Sequence, residues 1–211
     1  EFLEKSSVPV VFCKYLPDNC AGRKIDYIHV DQLQGGYLAT DHLIQLGHRS
    51  ILCLTANFEG SEFAQRTKGY EKALLEHQVA HDPALTLTGD GTFHTSYQMI
   101  LDNQQVLARV TAIFAQNDLM ALGAMSALAD LNIRVPEDIA VVGFDDIELC
   151  TYNHPYLTTI KQPTQDIAAI TSQRIVDLLS HPQSIGPRMT ALAPELIIRE
   201  SCGGQDRTES V

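Results

Sequence analysis

The sequence predicts an α/β fold built on mostly parallel sheets. Three observations carry this. Short apolar runs rich in β-branched residues alternate with longer segments whose apolar residues recur at helical spacing, as in strands joined by crossover helices. Several runs end abruptly in a charged or polar residue (Lys14, Asp31, Asn117, Asp145), and the carboxyl ends of parallel strands are where open α/β sheets bind ligands. The 211 residues are 45% apolar, enough for one large domain or two small lobes with a sizeable core.

In order, Val8 to Cys13 (VPVVFC) reads as a buried strand entered through Pro9, with Lys14 at its carboxyl end. Tyr27 to Val30 is a second strand, closed by Asp31. Gly35-Gly36 opens a helix from Tyr37 to Leu46, and Gly47 suits the left-handed position that ends it. Ser50 to Thr55 is a strand, and Asn57 to Ser61 a polar loop. Glu62 to His77 is a helix with Phe63, Tyr70, Ala73 and Leu74 on one stripe.

Ala84 to Leu87 reads as a strand, and the loop GDGTFHT leads into a helix over Tyr97 to Leu107. Thr111 to Ala115 is the next strand. Asn117-Asp118 can cap an apolar helix, Leu119 to Leu131, which Asn132 ends. Val135-Pro136 stops further helix. The apolar run Ile139 to Phe144 is a buried strand ending in Asp145-Asp146, and Leu157 to Ile160 leads to Gln162-Pro163. Asp166 to Leu179 is a helix carrying Ile167, Ile170, Ile175 and Leu178; Leu192 to Ile198 is a last strand, and the tail from Gly203 is polar.

Composition excludes several classes. A net charge of −11 makes this segment a poor grip for a phosphate backbone. No run is long enough to span a membrane, and no signal peptide stands at Glu1. The five cysteines are widely spaced without a C-x-x-C pair; Cys13 and Cys53 read as core residues, and the pattern fits a reducing cytosol. His77 and His81 have a helical metal spacing but no evident third ligand, and Pro83 follows closely. There is no G-x-S-x-G, phosphate loop, triad or metal set, so an enzyme is not expected, and no cofactor is implied.

The stretch VPEDIAVVGFDD, followed by P-x-LTTIKQP, resembles the effector-binding domain of the lactose-repressor (LacI/GalR) family of bacterial transcription regulators. VPVVF, VDQLQGGYLATDHLIQLGHRSI, QRTKGYEKAL, TAIFAQNDLMALGAMSAL and PELIIRESC fall in the family's order, so the resemblance covers nearly the whole chain. It implies a two-lobed, periplasmic-binding-protein-like fold with the effector between lobes and three crossings, near Asp31, Gln162 and Arg188. Residues 1–31 and 163–187 would belong to a partial N-terminal lobe, 32–162 and 188–202 to a complete C-terminal lobe, and 203–211 to a tail. The helix-turn-helix headpiece and the first βα units would lie outside this chain.

The resemblance also implies effector contacts at Arg66, Asn117, Asp145, Gln162 and Glu62. Each has a plainer reading beside it. Arg66 can pair with Glu62 four residues away, and Asn117 can be a simple helix cap. Asp145, ending an apolar strand, needs some partner. Asp118 and Asp146 read as structural or turn residues. Lys14 departs from the polar or acidic residue common in the family; it suggests an effector with a negative group, or it faces solvent or pairs with Asp145. Gly91 stands where the family often has a stacking aromatic, and Phe93 is a substitute. Gln32 replaces the usual asparagine after Asp31.

The function implied is a cytoplasmic regulator core: a sugar-like effector biases the lobe arrangement and so operator binding by the headpiece. A homodimer is implied, with contacts from the helix after Asn117 and from Ile147 to Tyr152; Met120, Met125 and Leu149 are candidates, and there is no membrane partner. The alternative is a periplasmic sugar-binding protein of a transport system, against which the wording of the motifs weighs.

Overall fold

The computed structural model describes residues 8–14, 16, 25–57, 62–181 and 186–204. Cys20, most of the Asn57 to Ser61 loop and the end of the tail lie outside them. The chain divides into two compact units, residues 1–31 with 163–193 and residues 32–162 with 194–211.

In the first unit, β1 (Val11–Cys13), β2 (Asp26–Val30) and β8 (Met189–Leu192) form a parallel sheet in the order β1-β2-β8. Helix α6 (Thr164–Ser180) packs on it through Ile167 and Ile170, against Ile28, Val30, Val11 and Leu192. Beneath the helix, Arg174 Nε donates to Asp26 Oδ1 at 2.5 Å, and the Arg188 backbone N–H donates to the same oxygen at 3.0 Å. Cys13, expected in a core, is exposed, because β1 is the outer strand of the described sheet and Cys13 is its last residue.

The second unit carries a six-stranded sheet in the order β4-β3-β5-β6-β7-β9. The strands are β3 (Ile51–Ala56), β4 (Thr86–Gly89), β5 (Ala112–Ala115), β6 (Ala140–Asp145), β7 (Thr158–Lys161) and β9 (Glu195–Ile197). All pairings are parallel except β7 with β9. Strand alternation divides the apolar runs between two cores. Ile51, Cys53, Phe114, Val142 and Phe144 face α1 (Gln32–Gln45) and α2 (Glu62–Glu76). Leu52, Leu54, Ile113 and Val141 face α3 (Phe93–Asp102), α4 (Gln104–Leu107) and α5 (Asp118–Asp130). A sheet buried on both faces explains why its strands read as continuous apolar runs.

Four expectations are corrected. The glycines at 35 and 36 do not open a helix: α1 begins at Gln32, Gly36 lets it cross α2 at backbone contact, and Gly35 makes room for the Phe144 ring. A Cβ on Gly36 would lie 2.2 Å from the Arg66 carbonyl oxygen, and one on Gly69 would lie 2.1 Å from the Leu33 carbonyl oxygen. Pro83–Leu85 is a 3-10 turn capped by Asp82, so the strand starts at Thr86. The helix expected from Tyr97 starts at Phe93, where Thr92 accepts from the Thr95 N–H at 3.2 Å, and it breaks at Asn103. The last strand is two strands in different sheets, separated at Ala193-Pro194, since proline has no N–H for a ladder. Residues 188–193, assigned to the second lobe, therefore belong with the first unit, where Met189–Leu192 pairs with β2.

Candidate functional site

The order of the second sheet changes direction beside β3: the chain goes from β3 outward to β4, then returns to β5 on the other side. Such a switch point leaves a hollow at the carboxyl ends of the strands. Thr55, Gln116, Asn117 and Asp145 stand at these ends, and the first turns of α2 bring Glu62 and Arg66 to them.

Arg66 is the centre of the cluster and only 2% exposed. The crossing at Gly36 sets it beside the start of α1, where Nε donates to Gln32 Oε1 at 2.8 Å. Nη1 donates to the Gln116 carbonyl, and Nη2 donates to Glu62 Oε2 at 3.2 Å and lies 3.9 Å from Asp145 Oδ1. The guanidinium sits over the Phe144 ring, 3.8 Å from its centroid. Burial lowers the Arg66 pKa from the usual arginine value, while Asp145, Glu62 and Asp118 act to raise it. The side chain is thus a rigid, charged fork held on several sides.

Asp145 ends β6 with φ 127°, and Asp146 follows with φ 58°. Positive φ at two successive non-glycine residues is strain of the kind found at ligand sites. Asp145 Oδ1 accepts from Gln162 Nε2 at 2.5 Å. Asp146 is tied down by Arg199 Nη2 at 2.6 Å, a structural anchor.

Beneath the strand ends, Asp118 is fully buried. Its carboxylate accepts from Thr159 Oγ1 at 2.5 Å, the Ile147 N–H at 2.9 Å and the Cys150 thiol at 3.1 Å. These bonds hold α5 to β7 and to the segment after β6. Asn117 caps α5, accepting from the Met120 N–H at 2.7 Å, and donates to the Gly91 carbonyl at 2.9 Å, so it also holds the loop before α3.

Of the residues named from sequence, the structure brings Glu62, Arg66, Asp145 and Gln162 into one network. Asn117 adjoins it through the Gln116 peptide. Phe93 lies on the first turn of α3, 42% exposed, and lines a groove with Leu119, Leu122, Met125, Leu149 and Tyr152; the rings against Arg66 are Phe144 and Phe63. Lys14 belongs to the first unit, with φ 62° and its N–H donating to the Ile28 carbonyl at 2.9 Å. His77 pairs with Asp41 at 2.5 Å and His81 packs edge-on to Tyr70, so the two rings have separate partners.

Sequence reasoning noted Gln32 only as a departure beside Asp31, not as a site residue, and missed Gln116. Both are buried, and the Gln116 amide is hydrogen-bonded to Thr55 Oγ1 and Thr67 Oγ1 at 2.8 and 2.9 Å. The available signal was position: each is a polar residue within two places of the end of an apolar strand.

The fold and this polar cluster define a small-molecule-binding domain of α/β type. Residues 40–202 match the periplasmic binding protein-like domain. The chain is 34% identical over 202 residues to the HTH-type transcriptional repressor PurR of Vibrio vulnificus (strain CMCP6), covering 95% of this chain and 59% of that protein. It superposes on the transcriptional regulator CelR in complex with cellobiose with a TM-score of 0.86 at 31% identity, covering 94% of this chain and 60% of that one. A LacI family transcriptional regulator from Enterococcus faecium with bound ribose gives a TM-score of 0.82 at 26% identity, covering 94% of this chain and 72% of that one. The chain belongs to the LacI family of transcription regulators, as its periplasmic-binding-protein-like effector-binding domain. It spans about three fifths of the length of the curated relative it matches.

Proposed function

We propose that this domain binds a sugar or sugar derivative and couples that binding to operator recognition by a helix-turn-helix headpiece outside the chain, in the bacterial cytoplasm. One observation carries the reading: Arg66, buried at the carboxyl ends of β3, β5 and β6, is clamped among Gln32, Glu62, Gln116 and Asp145, with strained backbone at Asp145. Planar amides, a carboxylate and a guanidinium fork are the groups that recognise adjacent hydroxyls. The cellobiose and ribose bound to the two similar regulators support a carbohydrate.

In this reading the first unit is part of an N-terminal lobe and the second is the C-terminal lobe. The effector prefers one arrangement of the lobes and shifts the equilibrium by its difference in affinity for the two. The groove of about 830 Å³ lined by Leu119, Leu149 and Tyr152 belongs to a homodimer surface, where apolar side chains otherwise left in water are covered.

A thermal-shift screen of the full-length protein tests the proposal, with neutral sugars, sugar phosphates, sugar acids and nucleobases as probes and Asp145→Ala as control. A ligand bound only by the folded state raises Tm by mass action. A sugar that stabilises the wild type and not the variant supports the reading. Stabilisation by nucleobases alone overturns it.

A further inference from the structure

Two side-chain atoms in the second unit are buried with no hydrogen-bond partner among the described residues, and both belong to the Arg66 network: Gln32 Nε2 and Gln162 Oε1. Both residues are 7% exposed. Their amide orientations are not arbitrary. Gln32 must turn Oε1 to the Arg66 Nε donor, at 2.8 Å, which directs the NH2 group away. Gln162 must turn its NH2 to the Asp145 carboxylate, at 2.5 Å, which directs Oε1 away. The cluster thus holds one unmet donor and one unmet acceptor, both covered in this arrangement, so an effector meets them as the groups around them part. A buried polar group without a partner is costly, so a cluster that keeps two of them is arranged for something that satisfies both.

The charges around them narrow what that is. Glu62 and Asp145 are carboxylates, and the cation between them already donates to Gln32, Gln116 and Glu62. A phosphate or carboxylate could accept from Gln32 but has no proton for Gln162, and it would lie close to Asp145. A hydroxyl donates and accepts with the same oxygen. Lys14 raised the expectation of an anionic effector, but it belongs to the other unit; the charges of this unit favour a neutral one.

We infer that Gln32 is a specificity-determining residue of the effector site: its Nε2 donates to an uncharged hydroxyl of the effector, while Gln162 Oε1 accepts from one. This rests on the effector-binding reading of the Arg66 cluster and adds a residue and a polarity to it. Gln32→Glu isolates the claim. It keeps an oxygen for Arg66 and replaces the unmet donor by an acceptor, so the effector hydroxyl loses its donor, while the cost of a further carboxylate beside Glu62 and Asp145 is read separately from the Tm of the free protein.

The experiment is calorimetric titration of the full-length wild type, Gln32→Glu and Asp145→Asn with ribose, cellobiose, ribose 5-phosphate and gluconate, with Tm of each free protein alongside. The expected result is binding of a neutral sugar, weakened at least about tenfold by Gln32→Glu, a loss larger than the change in Tm of the free protein accounts for. Unchanged affinity in Gln32→Glu, with binding lost in Asp145→Asn, overturns the role of Gln32 and leaves the effector site standing. Binding of the anionic probes in preference to the neutral ones overturns the polarity argument. Binding of none of the four overturns both this inference and the carbohydrate reading.

Discussion

The backbone of Gly36 lies against the backbone of Arg66, so closely that a Cβ on the glycine would stand 2.2 Å from the arginine's carbonyl oxygen. This contact fixes where α2 starts relative to α1, and hence where the guanidinium sits. Backbone cannot give way as a flexible side chain can. Gly36→Ala is expected to cost at least about 1–3 kcal/mol of folding stability through overpacking, and to weaken effector binding beyond what the stability loss explains. Urea denaturation and titration of the same variant check the two effects.

Asp118 receives three donors on one buried carboxylate. Asp118→Asn leaves the volume nearly unchanged but turns one oxygen into a donor that faces donors. The expected loss is about 3 kcal/mol, from weakened bonds to a charged group and an orphaned partner. Burial and Asp118 together push the Cys150 thiol up, so it stays protonated in the native state. Native Cys150 should therefore resist Ellman's reagent, and Asp118→Asn should let it react sooner; mass spectrometry of the labelled residue reports both.

His42 and His48 have pKa values lowered from the ordinary 6.5, in each case first by burial. A histidine whose folded pKa is depressed binds protons more readily when unfolded, so the unfolded state gains below 6.5. Stability is then intact above that value and falls as pH drops toward the depressed ones. Tm should decline on acidification from about pH 7 to pH 5.5, and the His42→Gln, His48→Gln double variant should show a flatter slope. An equal slope in the double variant would assign the acid sensitivity to other groups.

Leu119, Leu149 and Tyr152 are 42%, 43% and 58% exposed along one groove. If that groove is where two copies meet, Leu149→Asp places an unpaired charge in an apolar contact and should shift sedimentation toward monomer while leaving the Tm of the monomer within a few degrees. A dimer of unchanged strength would move the interface elsewhere.

The layout of strands and helices was legible because each strand is a compact apolar run and each helix carries its own periodicity. Asp145 was legible because a charge at the end of an apolar run stands out; Arg66, inside a helix, was named only through the resemblance of its R-x-x-GY wording. Gln32 was not legible, because its role depends on α1 crossing α2 at Gly36 and Gly69, and the sequence shows the glycines without showing which backbone each one meets. The split at Ala193-Pro194 was hidden because both flanking segments are strand-like, and only their pairing partners tell them apart. Phe93 was named through the resemblance, as a substitute for the aromatic absent at Gly91; it starts α3 and lines the groove with Leu119 and Leu149.

Gln32 and Gln162 are the first and last residues of the continuous stretch that builds the second unit, so each is one peptide bond from the other unit. If the proposed effector is held by these two side chains, it contacts the chain beside two of its three passages between the units, the third being Ala193-Pro194. On that proposal, recognition would fall beside the passages themselves rather than deep in the packed sheet. Core substitutions that leave Gln32 and Gln162 in place would then alter stability before they alter ligand preference.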